Sequence, residues 1–353
     1  MIKRPRLDDI ASKVGVTRMT VSRYFNDPQS VAAATRERIA RAIEESGFIP
    51  SRVPAIMSRS SSMALGLVVP SFSNGVFTDV IEGVEDAARG EGYSVLLMHS
   101  GYGKEREEQE VADLLSYQAD AVILCGADHT DLTRLRLKKS GIPSAELLSL
   151  SPSPLGLNYG IDYAATFSAV TSALVSCGRK AVAYFGARMD ERTLERERGY
   201  RQAMAGAGLR PVCLTTQSRS NFALGRDLML EALRRFPEAD AVICTNDDVA
   251  LGALIACQSQ RVDVPGRLSV IGCNALNFCE AAFPALCSIA TPRRGIAAKA
   301  ASDIIAAIKA KEEDLAPCQE IWGCTLKPGG SATHEEQEAI AKALMALPRT
   351  EAA

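Results

Sequence analysis

Two short amphipathic helices joined by a glycine turn are predicted near the start of the chain. Apolar residues spaced at i, i+3, i+4 and i+7 line one face of the first helix: Leu7, Ile10, Ala11 and Val14. Gly15 permits the positive φ of a tight turn, and Thr17 is a suitable N-cap for a second helix over residues 18–25. Val21 and Tyr24 can pack back on the first helix. The outward side chains are then basic, hydroxyl-bearing or flexible: Arg18, Met19, Thr20, Ser22 and Arg23.

This pattern is typical of a helix-turn-helix, whose second helix enters the major groove of DNA. An ordinary surface αα-hairpin is the alternative, but the N-terminal position and basic character of the segment favour DNA binding. A third helix over residues 35–46 (TRERIARAIEES), stopped by Gly47, completes a small bundle. We therefore expect a DNA-binding domain over residues 1–50 and a hinge over residues 51–62.

The pattern changes at residue 63, where short apolar runs begin to alternate with amphipathic helices. The runs start with LGLVVP and YSVLLMH and end with LSVIGCN and CSIATP, and each is typical of a buried strand. Strand–helix alternation builds parallel sheets through right-handed βαβ units, so the fold class is α/β. Two sheets of about six strands each fit residues 63–326. We expect one body domain over residues 63–330, made of two subdomains.

Residues 331–353 follow the body as a C-terminal tail. Ile340, Leu344 and Leu347 are spaced at i, i+4 and i+7, but so few apolar residues cannot form a stable coiled coil. We therefore expect a loosely ordered tail, and a dimer built through the body rather than a tetramer.

Charge is unevenly distributed along the chain. Residues 1–62 carry eleven Lys and Arg side chains against six Asp and Glu, a net +5, whereas the whole chain carries −2. A basic segment on an acidic body is typical of a protein whose basic segment meets phosphate. There is no apolar leader and no run of 18 apolar residues, so we expect a cytoplasmic protein without a membrane partner.

Nothing in the sequence indicates an enzyme or a cofactor. VVPSFSNGVF after the first predicted strand lacks GxGxxG, and GYGK at 101–104 lacks the spacing of a phosphate loop. With three histidines and ten scattered cysteines, none in a CxxC pair, we expect no catalytic site, no metal site and reduced, buried thiols. A sugar-binding transport protein is the remaining class, and the basic segment and missing leader argue against it.

Several motifs occur together in both parts of the chain. They are VTRMTVSRYFN in the second helix, TRERI and GFIPSR before the hinge, and TNDDVALGA and VIG in the body. On these motifs, residues 6–330 resemble the LacI/GalR family of transcriptional regulators. TRMTVSR, GARMDERT at 186–193 and LKPGGS resemble its branch of gluconate and idonate repressors. The resemblance implies a homodimer reading a pseudo-palindromic DNA operator, and a body like periplasmic sugar-binding proteins, with three crossovers and a small-molecule effector in the cleft.

The resemblance also places Arg18, Met19 and Arg23 at base-reading positions. Each arginine can form bidentate bonds to guanine worth about 1–3 kcal/mol of discrimination, while Met19 offers only apolar contact. Side chains that can bond phosphate and fix the register are Thr17, Thr20, Ser22 and Asn26. Met57 stands where many relatives carry a leucine that wedges into the minor groove, although it can instead pack between paired hinges.

The effector cleft is expected at the carboxyl ends of the strands, where α/β sheets bind ligands. Ser71 and Phe77 bound the loop after the first predicted strand, and Asn246 follows a later one. The resemblance places a charged set in the same cleft: Asp190, Arg192 and Arg196.

Two departures from the family bear on the ligand. Asn274 occupies a position where sugar- and purine-binding relatives usually carry an aspartate, and Ser220 stands where several carry a stacking aromatic. Without that carboxylate, the two arginines favour an anion, and without the aromatic a flat ring is disfavoured. An open-chain polyol carboxylate such as gluconate satisfies both changes.

The chain is therefore predicted to be a repressor of sugar-acid utilisation genes that an anionic polyol releases from its operator. Another sugar, a ketogluconate or a sugar phosphate as effector, and an activator in place of a repressor, remain alternatives at this point.

Overall fold

The computed structural model describes residues 5–50, 61–311 and 316–350. The chain separates into two compact units between Ser62 and Met63. Met57 and most of the expected hinge lie outside the described residues. Within the described part of the chain, no helix is long and apolar enough to cross a membrane.

The N-terminal unit is a bundle of three α-helices. They are α1 (Leu7–Val14), α2 (Arg18–Asn26) and α3 (Ala33–Ser46). Gly15 ends α1 with a φ of 72°, and the Thr17 hydroxyl caps α2 by accepting a hydrogen bond from the Thr20 N–H at 3.3 Å. Fully buried apolar side chains form the core between the helices: Ile10, Val21 and Ile39. The apolar helix face that the sequence predicted is therefore the face that is buried.

The C-terminal unit contains two six-stranded sheets, one in each of two lobes. The first sheet has the order β11-β5-β4-β3-β1-β2, and its strands are β1 (Ala64–Val69), β2 (Ser94–His99), β3 (Ala121–Cys125), β4 (Ser144–Ser149), β5 (Leu157–Ile161) and β11 (Cys318–Ile321). The second has the order β12-β10-β9-β8-β6-β7, and its strands are β6 (Val182–Ala187), β7 (Val212–Thr216), β8 (Ala241–Cys244), β9 (Ser269–Cys273), β10 (Cys287–Ala290) and β12 (Thr325–Lys327). Neighbouring strands run parallel, apart from the antiparallel pair of β10 and β12.

Nine α-helices of the described residues pack on these sheets. They are α4 (Gly75–Gly90), α5 (Lys104–Ser116), α6 (Asp131–Ser140), α7 (Tyr163–Ser176), α8 (Glu191–Gly206), α9 (Phe222–Arg235), α10 (Asp247–Ser259), α11 (Arg293–Ala310) and α12 (His334–Met345). Leu67 of β1 joins an apolar cluster with Val84 of α4, whereas Val68 joins another with Leu114 of α5. Helices therefore cover both faces of the first sheet, which explains the uninterrupted apolar run of β1.

The chain crosses between the lobes three times, from β5 to β6, from β10 to β11 and from β11 to β12. Strand β5 was not predicted from the sequence, because it contains no apolar run. Polar and small residues occupy packing positions in this strand. The Asn158 side-chain amide donates to the carbonyl oxygens of Glu146 and Ser149 at 3.1 and 2.9 Å. A Cβ on Gly160 would lie 2.6 Å from the Ser149 backbone. Close approach of the backbones therefore requires glycine there.

The expectation of a loosely ordered C-terminal tail is wrong for residues 334–345, which form α12 of the body. Ile340 and Leu344 are 0% and 2% exposed and belong to the main apolar cluster. The Glu336 carboxylate accepts hydrogen bonds from Arg179 Nε at 2.5 Å and from the Ser269 hydroxyl at 2.7 Å. The i, i+4 spacing thus serves packing within one chain rather than a coiled coil.

Candidate functional site

Three adjoining cavities occupy the cleft between the lobes at the carboxyl ends of the central strands. The inner pocket, of about 40 Å³, lies between Phe77 of the first lobe and Arg196 of the second. The side pocket, of about 110 Å³, extends along the first lobe past Ser149. The outer vestibule, of about 580 Å³, opens beside Ser71. Tyr102 lines all three cavities and so stands at their junction.

The expected cleft residues come together with one exception. Seven of them line the inner pocket: Phe77, Asp190, Arg192, Arg196, Ser220, Asn246 and Asn274. Ser71 instead lines the outer vestibule, where its hydroxyl accepts a hydrogen bond from the Asn74 N–H at 3.3 Å. The loop after β1 therefore turns its first hydroxyl outward, and Phe77 at its far end faces inward.

Arg196 of α8 is held rigidly in the wall of the inner pocket. Its side chain is 7% exposed, and Nη1 donates to the Thr245 carbonyl at 2.7 Å. The guanidinium carbon lies 4.3 Å from the centre of the Tyr163 ring, a distance typical of a cation–π contact. Nε has no hydrogen-bond partner among the described residues. The cation is thus fixed in place with one of its donors unpaired.

Arg192 lies one helical turn before Arg196 and faces both the inner pocket and the side pocket. Its guanidinium is 3.9 Å from the Asp190 carboxylate, too long for a hydrogen bond, and Nη1 is buried without a partner within the described residues. Asp190 caps α8 by accepting a hydrogen bond from the Thr193 N–H at 3.0 Å. Burial opposes ionisation of Asp190, but Arg192 and the Thr193 N–H hold its pKa below the usual value.

The far wall of the inner pocket is neutral. The Asn246 side chain caps α10 by accepting from the Val249 N–H at 3.1 Å. Asn274 is 6% exposed and has a φ of 111°, a conformation that asparagine tolerates better than most residues. Its carbonyl accepts a hydrogen bond from Arg293, which also pairs with Asp79 of the first lobe. Arg293, which sequence reasoning missed, thereby ties the Asn274 loop to the opposite lobe.

Tyr102 and Arg188 form a contact between the lobes that sequence reasoning also missed. The Arg188 guanidinium carbon lies 3.7 Å from the centre of the Tyr102 ring. Both residues have positive φ, 66° and 69°, which is uncommon for bulky side chains and often marks a functional site. Both line the inner pocket and the outer vestibule, so their stack stands between the two cavities. The charge-dense GARMDERT motif and the GYGK segment were the available signals for this pair.

The candidate DNA-contacting residues lie on or beside α2. Arg18, Met19 and Arg23 are exposed, with 64% of the Met19 surface accessible. The Thr17 hydroxyl is engaged as the N-cap with Thr20, and the Asn26 amide lies 3.4 Å from the Ser22 hydroxyl. The second helix therefore presents two arginines, a methionine and a rim of small polar groups on one surface.

Comparisons with known proteins agree with both units. Residues 6–51 match the bacterial regulatory proteins of the lacI family, and residues 62–319 match the periplasmic binding proteins and sugar binding domain of the LacI family. The chain belongs to the LacI family. This confirms the family and the fold class that the motifs predicted, and the cleft described above lies in the part that matches the sugar-binding domain.

Named relatives place the chain more closely within the LacI family. It is 38% identical over 329 residues to the HTH-type transcriptional regulator GntR of Escherichia coli strain K12, covering 93% of this chain and 99% of GntR. It is 38% identical over 307 residues to IdnR of the same strain, covering 87% and 92%. A LacI-family regulator from Silicibacter pomeroyi superposes with a TM-score of 0.86 at 25% identity, covering 93% and 99%. The chain is accordingly a DNA-binding transcriptional regulator and not an enzyme.

Proposed function

We propose that the protein is a homodimeric repressor of sugar-acid utilisation genes, and that an open-chain anionic polyol such as gluconate releases it from its operator. Two buried guanidinium nitrogens in the inner pocket carry this proposal. Arg192 Nη1 and Arg196 Nε have no hydrogen-bond partner among the residues described. A buried donor left unpaired costs about 1–3 kcal/mol, and a charged one more. A carboxylate that accepts from both nitrogens removes this cost.

The remaining walls limit what the anion can be. Asn274 contributes an amide where a carboxylate would repel an anion. Asp190 lines the same pocket as a carboxylate, but it lies 3.9 Å from Arg192 and accepts a hydrogen bond from the Thr193 N–H. Ser220 lines the pocket without offering a flat apolar surface for a ring. These features support an open-chain acid with hydroxyl groups. The resemblance of the GARMDERT segment to regulators of gluconate and idonate use makes these two acids the first candidates.

Operator recognition is proposed for the exposed surface of α2. Arg18 and Arg23 would bond guanine edges, and the polar rim of the helix would bond phosphates. In a dimer the two α2 helices must reach successive major grooves about 34–36 Å apart, or a multiple of that distance, on a near-palindrome. Met57 is proposed as a minor-groove wedge on sequence grounds alone.

Release is proposed to follow closure of the cleft on the effector. The inner pocket takes Phe77 from the first lobe and Arg196 and Asn274 from the second, so a ligand there bonds both lobes at once. Such a ligand favours the closed arrangement over the open one. We infer that this closed arrangement lowers the affinity of the protein for its operator. Coupling between the two sites is typically about 1–3 kcal/mol, or about 5–150-fold in operator affinity.

A mobility-shift titration on the DNA upstream of the gene tests the proposal. Wild type, Arg196→Ala and the matched control Arg198→Ala are compared with and without gluconate. Arg198 lies on the same helix with 65% of its side chain exposed, so its removal should change nothing. We expect wild type and the control to release the operator, and Arg196→Ala to bind it without release.

Three outcomes would contradict parts of the proposal. Equal release by wild type and Arg196→Ala would remove Arg196 from the effector site. Tighter operator binding with gluconate would make the ligand a corepressor and reverse the mechanism. Absence of any preference for this DNA over bulk DNA would refute the assigned operator.

A further inference from the structure

The position of the side pocket bears on how a sugar acid would be oriented in the cleft. It adjoins the inner pocket through Tyr102, Asp190 and Arg192, so an effector bound at Arg192 and Arg196 extends into it. The stack of Arg188 on Tyr102 borders both the inner pocket and the outer vestibule. Because this stack stands between the inner pocket and the vestibule, we assign the side pocket, of about 110 Å³, to the rest of the effector.

A hydroxyl in the side pocket lacks a partner. Ser149, at the carboxyl end of β4, is 4% exposed, and its Oγ has no hydrogen bond within the described parts of the chain. Buried hydroxyls are almost always hydrogen-bonded in folded proteins, so an unpaired one that lines a cavity is available to a polar group of a ligand. A hydroxyl of a polyol can both donate to and accept from Ser149.

Lys104 and His129 also line the side pocket, and both are paired with carboxylates. Lys104 Nζ lies 2.5 Å from the Asp128 carboxylate. His129 Nδ1 is 2.5 Å from Glu107, and Nε2 faces Glu146 at 3.3 Å. Each of these two cations lies within 3.3 Å of a carboxylate, whereas Arg192 is 3.9 Å from Asp190 and Arg196 has no carboxylate partner among the described residues. Lys104 and His129 therefore offer less unshared positive charge to a second anionic group.

Additional negative charge comes from the opposite lobe. Glu191, in the first turn of α8, lines the side pocket beside Asp128 and accepts a hydrogen bond from the Ala127 N–H. Burial, and after it the neighbouring Asp128, raise the pKa of Glu191, while the Ala127 N–H, Arg192 and His129 act in the opposite direction. A phosphate dianion placed there would meet the Glu191 carboxylate, and Lys104, which lines the same pocket, is already paired with Asp128.

We propose that the effector binds with its carboxylate at Arg192 and Arg196 and its far hydroxyls against Ser149, and that Glu191 makes the regulator selective for the unphosphorylated sugar acid. This inference rests on the proposed function and goes beyond it. It argues against a sugar phosphate as the effector, an alternative that the sequence left open.

Isothermal titration of the protein with gluconate and with 6-phosphogluconate tests the selectivity. We expect wild type to bind gluconate at least about 100-fold more tightly than 6-phosphogluconate. Glu191→Gln should narrow the ratio by about tenfold, because one carboxylate charge facing the phosphate is removed. Glu195→Gln is the matched control, since Glu195 lies on the same helix, pairs with Arg198 at the surface and should leave the ratio unchanged.

A second measurement tests the orientation of the ligand. Ser149→Ala should weaken the binding of gluconate about three- to tenfold. Ser153→Ala, at an exposed position of the same lobe, should leave the affinity for gluconate unchanged. Unchanged affinity in Ser149→Ala would refute the placement of the hydroxyls.

Other results separate the inference from the function on which it rests. If wild type binds the two acids with equal affinity and Lys104→Met no longer binds 6-phosphogluconate, the proposed selectivity is wrong. The proposal that the effector is a sugar acid would still stand. If neither acid binds, the proposed effector class and this inference fall together.

Discussion

A protonated His129 should stabilise the body at neutral pH and should cease to do so in alkaline solution. Its side chain is 1% exposed, with Nδ1 2.5 Å from Glu107 and Nε2 in ionic contact with Glu146. Burial opposes the charge on the ring, but the two carboxylates outweigh it and raise the pKa of His129 to about 9. The buried histidine is thus a cation where an isolated one would be largely neutral.

The sign and size of the effect follow from the shift. The pKa of histidine in the unfolded chain is about 6.5, and the folded value is higher. The stabilisation is therefore complete below pH 6.5 and is lost as the pH rises through 9. About 2.5 pKa units at about 1.36 kcal/mol each correspond to about 3 kcal/mol in the free energy of unfolding.

Urea unfolding of the full chain, followed by the fluorescence of Trp322, measures this contribution. Trp322 is the one tryptophan of the sequence and lies in the body, so the N-terminal unit does not contribute to the signal. The free-energy difference between wild type and His129→Gln should shrink by about 3 kcal/mol from about pH 6 to about pH 10. His334→Gln is the control, because the His334 side chain is 89% exposed. A difference that stays constant across this range would refute the reasoning.

Three further predictions concern other parts of the molecule. Arg188→Ala removes a cation–π contact worth about 0.5–2 kcal/mol and should speed effector dissociation about 2- to 30-fold in stopped-flow fluorescence of Trp322; an unchanged rate would show that the stack is not a gate. Ile340→Ala should lower the free energy of unfolding by about 2–5 kcal/mol, whereas the exposed Glu338→Ala should not, and equal effects would contradict the packing of α12. Arg18→Ala should relax base preference at one position of each operator half-site, measured by binding to single-substituted sites; uniform weakening would assign Arg18 to phosphate instead.

The regular strands and the N-terminal helices were predictable from the sequence because their burial is periodic. Continuous apolar runs such as that of β1 arise from helices on both faces, and the i, i+3, i+4 face of α1 packs in the bundle core. Strand β5 escaped prediction because Asn158 and Gly160 interrupt its apolar pattern for reasons of side-chain bonding and backbone proximity. Helix α12 was visible as a pattern, but periodicity cannot tell packing within one chain from packing between chains.

Much of the candidate site was accessible to sequence reasoning, but its geometry was not. Arg192 and Arg196 are one helical turn apart, so their common direction follows from helix periodicity. The contact of Arg188 with Tyr102 depends on positive φ at both residues, which no spacing rule reveals. Ser149 is significant because its hydroxyl has no hydrogen-bond partner among the described residues. His129 is significant because two carboxylates surround it. Both are three-dimensional properties of residues that are ordinary in the sequence.

Neither lobe of the body is encoded by one continuous stretch of the gene. The edge strand β11 completes the first sheet only at residues 318–321, and β12 and α12 complete the second lobe after it. During translation both sheets must therefore wait, each with an open edge beside β5 or β10, until almost the whole chain has left the ribosome. Unpaired strand edges invite aggregation and proteolysis. A premature stop codon before β11 would thus yield a target for cellular quality control rather than a working half of the regulator.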